Sequence, residues 1–240
     1  MSEISSSVFI TDIREQKPEM AVRLEEKAKG HGVRMVRAQR QYTVVRIVFV
    51  IRDQDVERRK NVMQDVQKWA AKGGKLTIND RPGQVLHVVC TDPPMLGSAL
   101  KWTEEMHVDF TAYTLPFWEG VETHTYTTTG STRVYVPGTH DVCQASAVVT
   151  NKSGILTNLL IQTEKSSIRF EGLSVANGGK VEVGHDDNGY FYAKHGTQSL
   201  IGKRTTGSDD DLLVESGYSE VLVQGDTPVE MAFSVKGWWI

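Results

Sequence analysis

The apolar pattern of this chain changes once, around Leu115-Pro116-Phe117-Trp118-Glu119-Gly120, and a single uniform fold does not accommodate the change. Before that point, β-type alternation surrounds one segment with a helical period. After it, no segment sustains a helical period, and short strand candidates recur between turn residues. At 240 residues the chain exceeds a typical domain of about 100 to 150 residues. Two domains are therefore expected, residues 1–118 and 119–240.

The first half reads as a sheet carrying one helix. Val8 to Ile13 is a β-branched opening strand. The charged run from Pro18 to Lys29 admits a helix closed by Gly30, or a hairpin arm with Val22 and Leu24 turned inward, and the arm is preferred. From Val33 to Ile51 the alternation is long, with Arg46, Val48 and Val50 on one face and Val45, Ile47, Phe49 and Ile51 on the other. Asp53 and Asp55 offer cap oxygens to a helix ending near Lys72, with Val56, Met63, Val66, Trp69 and Ala70 as its apolar stripe. Gly73 and Gly74 end it. Lys75 to Ile78 is extended, Asn79 to Gly83 is a turn built on Pro82 and Gly83, and Gln84 to Thr91 and Met106 to Tyr113 are strands.

The second half reads as a sandwich or jelly roll. Its strand candidates are Glu122 to Thr128, Thr132 to Val136, Ala145 to Thr150, Leu159 to Gln162, Ser167 to Glu171, Lys180 to Val183, Tyr190 to Ala193, Tyr218 to Val223 and Glu230 to Val235. The loops carry Pro137-Gly138, Asn177-Gly178-Gly179 and Asp187-Asn188-Gly189, which make turns at low steric cost. The fold class expected for the whole chain is mainly β, with an α+β first domain.

Several classes of function are disfavoured. Cys90 and Cys143 are one per putative domain, which is no disulfide framework. The N-terminus lacks the basic start and apolar run of a signal peptide, and no apolar stretch approaches the roughly 20 residues that span a bilayer. Expression in a cytoplasm and no membrane partner are the expectations. Split after Gly120, the halves carry 18 basic against 16 acidic residues and 9 against 14, which is no nucleic-acid footprint.

No catalytic constellation is recognised, and neither an enzyme nor a cofactor is expected. Gly178-Gly179-Lys180-Val181 has Val181 where a phosphate-binding loop needs a hydroxyl. His185, Asp186, Asp187 and His195 form the most metal-like group, although a hairpin tip explains them at least as well; His140-Asp141 invites the same thought. Asp209-Asp210-Asp211 lacks the alternating ligands of a calcium loop and reads as a solvated acidic loop. Arg34, Arg37 and Arg40 fit phosphate contacts or a strand edge guarded by charge. Tyr190, Tyr192, Trp238 and Trp239 are candidates for a partner or sugar-stacking surface, and Asn151-Lys152-Ser153 matches a glycosylation sequon that is discounted without a signal peptide.

The order of elements carries a resemblance. A strand ending Arg46-Ile47-Val48-Phe49-Val50-Ile51-Arg52 is followed by a helix ending in Trp69, then Gly73-Gly74-Lys75-Leu76, Asp80-Arg81-Pro82-Gly83 and Thr111 to Trp118. The second half closes with Val229 to Val235 and Trp238-Trp239-Ile240. This order resembles the distal tail proteins of long, non-contractile-tailed bacteriophages and related prophages. The resemblance implies a sheet-plus-helix domain that assembles as a homo-hexameric ring and a galectin-like jelly-roll β-sandwich projecting from it. It also implies a structural component at the tail tip of the virion, an adaptor between the tail tube and the tail-tip hub or baseplate, able to anchor a receptor-binding protein. DNA would pass through the ring without specific binding. A carbohydrate-binding, lectin-like module is the alternative, although no segment is long enough to be the large carbohydrate-binding insertion that some relatives carry. Pro116, Phe117 and Trp118 are read as the interdomain joint, with Pro116 ending the last strand of the first domain.

Overall fold

The run Val44–Ile51 forms the most buried strand of the first half, and its inward residues Val45, Ile47, Phe49 and Ile51 are joined in burial by Val48 and Val50. The structure, a computed structural model, describes residues 6–16, 20–26, 33–94, 105–113, 115–186 and 189–240. The chain divides into two compact units, Met1–Trp118 and Glu119–Ile240. Its fold is mainly β, and the main strand pairings among the described residues are antiparallel.

In the first unit, β1 (Val8–Gln16), β2 (Met20–Glu26), β3 (Val33–Arg40) and β4 (Val44–Ile51) precede the helix α1 (Val56–Ala71); β5 (Gly74–Leu76), β6 (Gln84–Asp92) and β7 (Met106–Ala112) follow it. The principal sheet runs β1-β4-β7-β6, with β5 on β6, while β2 and β3 pair as a separate ribbon. The segment open to two readings forms a hairpin arm over Met20–Glu26, but Val22 is exposed rather than turned inward, and the Leu24 side chain, Pro18 and Lys29 lie outside what is described. A short strand, β8 (Trp118–Gly120), follows.

Helix α1 starts where a carboxylate meets free amides. The Asp55 side chain accepts from the backbone N–H groups of Glu57 and Arg58, and Asp53 accepts from Asp55 itself. Val56 is 40% exposed because it is the first helical residue, ahead of the turn that meets the sheet. The buried stripe is instead Arg59, Val62, Met63, Val66 and Ala70. Arg59 is tolerated there because its guanidinium donates to the carbonyls of Asp53 and Gln54. Trp69 meets Phe110 of β7 edge-on, ring centroids 5.3 Å apart, which places α1 against the face bearing Met106, Val108, Phe110 and Ala112.

The turn after β5 has the expected chemistry. Gln84 N donates to Arg81 O, with Pro82 and Gly83 between them and Gly83 at φ 73°. Gly73, just past the helix, has φ 56°, and a Cβ there would lie 2.8 Å from Val88 O.

The second unit contains β9 (His124–Thr128), β10 (Ser131–Val136), β11 (Val142–Asn151), β12 (Ile155–Thr163), β13 (Ser167–Ala176), β14 (Lys180–His185), β15 (Phe191–His195), β16 (Gln198–Ser199), β17 (Leu213–Glu215), β18 (Gly217–Gly225), β19 (Val229–Val235) and β20 (Trp238–Trp239). One sheet runs β10-β18-β12-β13 and the other β16-β15-β14-β11-β19-β9, with β17 on β11. Alternation turns one side chain in two inward, and Leu159, Ile161, Ile168, Phe170, Val221, Val149, Met231 and Phe233 are all buried in the core. Each such side chain contributes about 1.5–3 kcal/mol relative to full exposure.

Asn151 is the notable polar group in that core. Its Nδ2 donates to Gly154 O at 3.1 Å and Val175 O at 2.8 Å, while Oδ1 accepts from Ser153 N and Thr227 Oγ1. Both amide protons are used and the residue is fully buried, so the sequon holds a structural asparagine with no access for a glycan.

Candidate functional site

The joint residues are tied into the first unit. Trp118 is fully buried, its Nε1–H donates to Glu15 Oε1 at 2.9 Å, and the Arg81 guanidinium lies 5.2 Å from its ring centroid. Arg81 grips the same carboxylate with Nε and Nη2, both at 3.0 Å from Glu15 oxygens. Phe117 is buried, and Pro116 O accepts from Thr43 Oγ1 at 2.6 Å. Pro116 does not end a strand: β7 stops at Ala112, where Tyr113 N turns to His87 O. In the second unit, Glu119 accepts from Lys236 Nζ at 2.8 Å and Gly120 N donates to Gly237 O at 2.9 Å.

The histidines singled out as metal-like have other partners. His185 Nε2 lies 3.1 Å from Asp211 Oδ1, and its ring meets Phe191 edge-on. Asp186 accepts from Tyr190 N at 2.9 Å, and His195 Nδ1 lies 2.7 Å from Lys180 O; Asp187 lies outside the described residues. His140 Nδ1 lies 2.7 Å from Val142 O. The acidic run is engaged rather than merely solvated: Asp209 accepts from Ser167 N at 2.6 Å, Asp210 from Arg204 at 3.2 Å, and Asp211 faces His185. The side chains of Arg34, Arg37 and Arg40 lie outside those described.

Of the four aromatic residues proposed for a partner surface, Tyr190 is strongly exposed, Tyr192 and Trp239 are half-buried, and Trp238 is buried. Trp238 sits 5.9 Å from the His140 ring and its carbonyl accepts from Thr139 N and His140 N. A second exposed aromatic group lies on β10 and β18. Tyr135 and Tyr218 pair across the strands with ring centroids 5.2 Å apart, and Arg133 lies 4.5 Å over Tyr218. Tyr126 OH donates to Tyr135 O at 2.6 Å.

A charged cluster occupies the face of the first unit's sheet turned away from α1. The Arg46 guanidinium grips Asp109 through Nε at 2.7 Å and Nη2 at 2.6 Å, which holds the Asp109 carboxyl below its usual range. On the other flank, Asp92 Oδ2 lies 3.0 Å from His107 Nε2. Among the described residues, Asp92, His107 and Asp109 are the one grouping of three potential metal ligands, with ligand atoms within 4.8 Å of one another.

No protein-family model and no curated protein matches the chain. Among solved structures it is similar to the SPP1 Dit protein (gp 19.1), a paradigm of the hub adsorption apparatus in phages that infect Gram-positive bacteria. The two superpose with a TM-score of 0.65 at 13% identity, over 96% of this chain and 93% of that one. The chain has the Dit fold. Two structures of the phage p2 baseplate in its activated conformation, with Sr and with Ca, also align, at 9% and 8% identity. They cover 96% and 94% of this chain and 90% of theirs, but their TM-scores of 0.45 and 0.41 lend no weight.

Within this Dit fold, three arrangements lay beyond sequence reasoning. The Trp118–Glu15 bond joins residues 103 positions apart. Tyr135 and Tyr218 are neighbours only through the β10–β18 pairing. Asp92 reaches Asp109 because a bulge falls between Cys90 and Asp92, so Cys90 pairs with Phe110 and Asp92 with Asp109. Regular alternation would have sent Asp92 to the opposite face; no local signal marks the extra residue.

Proposed function

We propose that this chain is a structural component of a phage tail, an adaptor at the distal tail that assembles as a ring of six copies. Similarity of fold to the SPP1 Dit protein over nearly the whole of both chains carries the proposal. The adaptor joins the tail tube to the tail-tip hub and serves as an attachment point for receptor-binding proteins, with DNA passing through the ring unbound. The residues agree with such a role. The histidines and acidic residues that invited a metal or catalytic reading are engaged in contacts that hold turns and strands in place. A closed ring needs one surface of each copy to fit a different surface of the next. Co-purification with separately expressed tail-tube and hub proteins tests the adaptor role: both should be retained by the tagged chain, and retention of neither contradicts it.

A carbohydrate-binding reading draws on the exposed Tyr135–Tyr218 pair, whose rings are tilted at 59° to each other, with Arg133 over Tyr218 as a hydrogen-bonding group. Glycan-array binding that disappears in Tyr218→Ala would favour it over a purely structural role.

A further inference from the structure

We propose that Asp92, His107 and Asp109 form a binding site for a divalent transition-metal ion that staples β6 to β7. The three residues come from adjacent antiparallel strands and point to the sheet face opposite α1. Two features make them more than a chance acidic grouping.

The first is register. The bulge sets Asp92 directly against Asp109, and like charges opposite each other on paired strands are destabilising. Arg46, paired with Asp109 from the β4 side, neutralises only one of the two carboxylates. Asp92 is held by His107 instead, and a cation placed between the strands would offset the repulsion that remains between the two carboxylates.

The second is ligand chemistry and spacing. An ion bound at about 2.0–2.2 Å from each donor holds neighbouring ligand atoms roughly 3–3.5 Å apart. His107 Nε2 and Asp92 Oδ2 are already 3.0 Å apart, and the Asp109 oxygen lies within 4.8 Å of both. Imidazole with two carboxylates suits a borderline ion such as Zn²⁺, while Ca²⁺ requires six to eight oxygens that this cluster does not offer. Binding uses the Nε2 lone pair: a neutral ring whose proton is on Nε2 moves it to Nδ1, a neutral ring whose proton is already on Nδ1 is unchanged, and a doubly protonated ring releases its Nε2 proton to solvent. Asp109 keeps its bonds to Arg46 and uses a remaining lone pair, so Arg46 both orients the ligand and weakens the site through its charge.

The test uses the full chain, stripped of metal with a chelator and titrated with Zn²⁺ against a chromogenic competitor, with His107→Ala and Asp92→Asn as variants. Both side chains are partly exposed, so these variants should retain the native circular dichroism spectrum. The wild-type chain is expected to bind one equivalent of Zn²⁺, each variant about tenfold or more weakly, and Arg46→Gln more tightly than wild type. Co²⁺ in place of Zn²⁺ should give visible absorption bands that disappear in His107→Ala. Unchanged binding in both variants, or Ca²⁺ binding as tightly as Zn²⁺, overturns the assignment.

Discussion

The indole N–H of Trp118 donates to Glu15 Oε1 at 2.9 Å, and the same carboxylate holds the guanidinium of Arg81, whose cation stacks on the indole ring. One carboxylate at the end of the first strand therefore satisfies a buried donor and a cation brought from two distant segments. Removing any member leaves the others with unmet bonds in a site that water reaches poorly.

Trp118→Ala is accordingly expected to cost about 3–5 kcal/mol, the usual range for emptying a large aromatic from a core. Trp118→Phe keeps most of the volume but leaves Glu15 one donor short, at about 1–2 kcal/mol. Denaturant unfolding followed by circular dichroism measures both. Equal losses in the two variants would mean that ring volume counts for nothing at this position.

Asn151 supplies a second prediction. All four of its hydrogen-bonding positions are engaged in the core of the second unit, so Asn151→Ala strands the carbonyls of Gly154 and Val175 and the hydroxyl of Thr227. A loss of about 2–4 kcal/mol is expected in thermal or denaturant unfolding. The neighbouring exposed Lys152, changed to Ala, should lose no more than about 0.5 kcal/mol.

Acid sensitivity is predicted at Asp226. Its carboxylate accepts from the hydroxyl and backbone N–H of Thr157 and from Asn158 Nδ2, and the Thr157 hydroxyl bond leads in lowering its pKa from 3.8 to about 2. A depressed folded-state pKa stabilises the fold fully above the unfolded value, and that contribution disappears as pH falls from 3.8 through about 2. Asp226→Asn should therefore be less stable than wild type at neutral pH, with the gap narrowing in urea titrations as pH approaches 2. A gap independent of pH would show that the charge is irrelevant.

The start of α1 gives a smaller effect. Asp55→Ala removes the acceptor for the amides of Glu57 and Arg58 and should lose about 1 kcal/mol, while Asp55→Ser should recover most of it. Denaturant midpoints at constant m-value measure the difference.

The helix cap, the Pro82-Gly83 turn and the alternation of β4 and β7 were legible in the sequence because each depends on residues within one element. Strand β17, Leu213–Glu215, was not: it is three residues long and is held by contacts from elsewhere, with Leu213 O accepting from Thr163 Oγ1 and Ser166 Oγ and Leu213 N donating to Ser166 Oγ. Arg59 was left out of the helix stripe because a charged residue is buried only when carbonyls outside the helix receive it. Trp238 has the composition of a contact residue, yet it is buried through a bridge to Gly138, at a distance of a hundred residues in sequence. The bulge that brings Asp92 to Asp109 breaks the period on which face assignments rest.

Size-exclusion chromatography with multi-angle light scattering across a range of concentrations tests the central claim most directly. The adaptor account predicts a species of six times the 26.8 kDa chain mass, growing with concentration and ring-shaped in negative-stain images. A mass of 26.8 kDa at every concentration, with or without tail-tube and hub proteins, would contradict it.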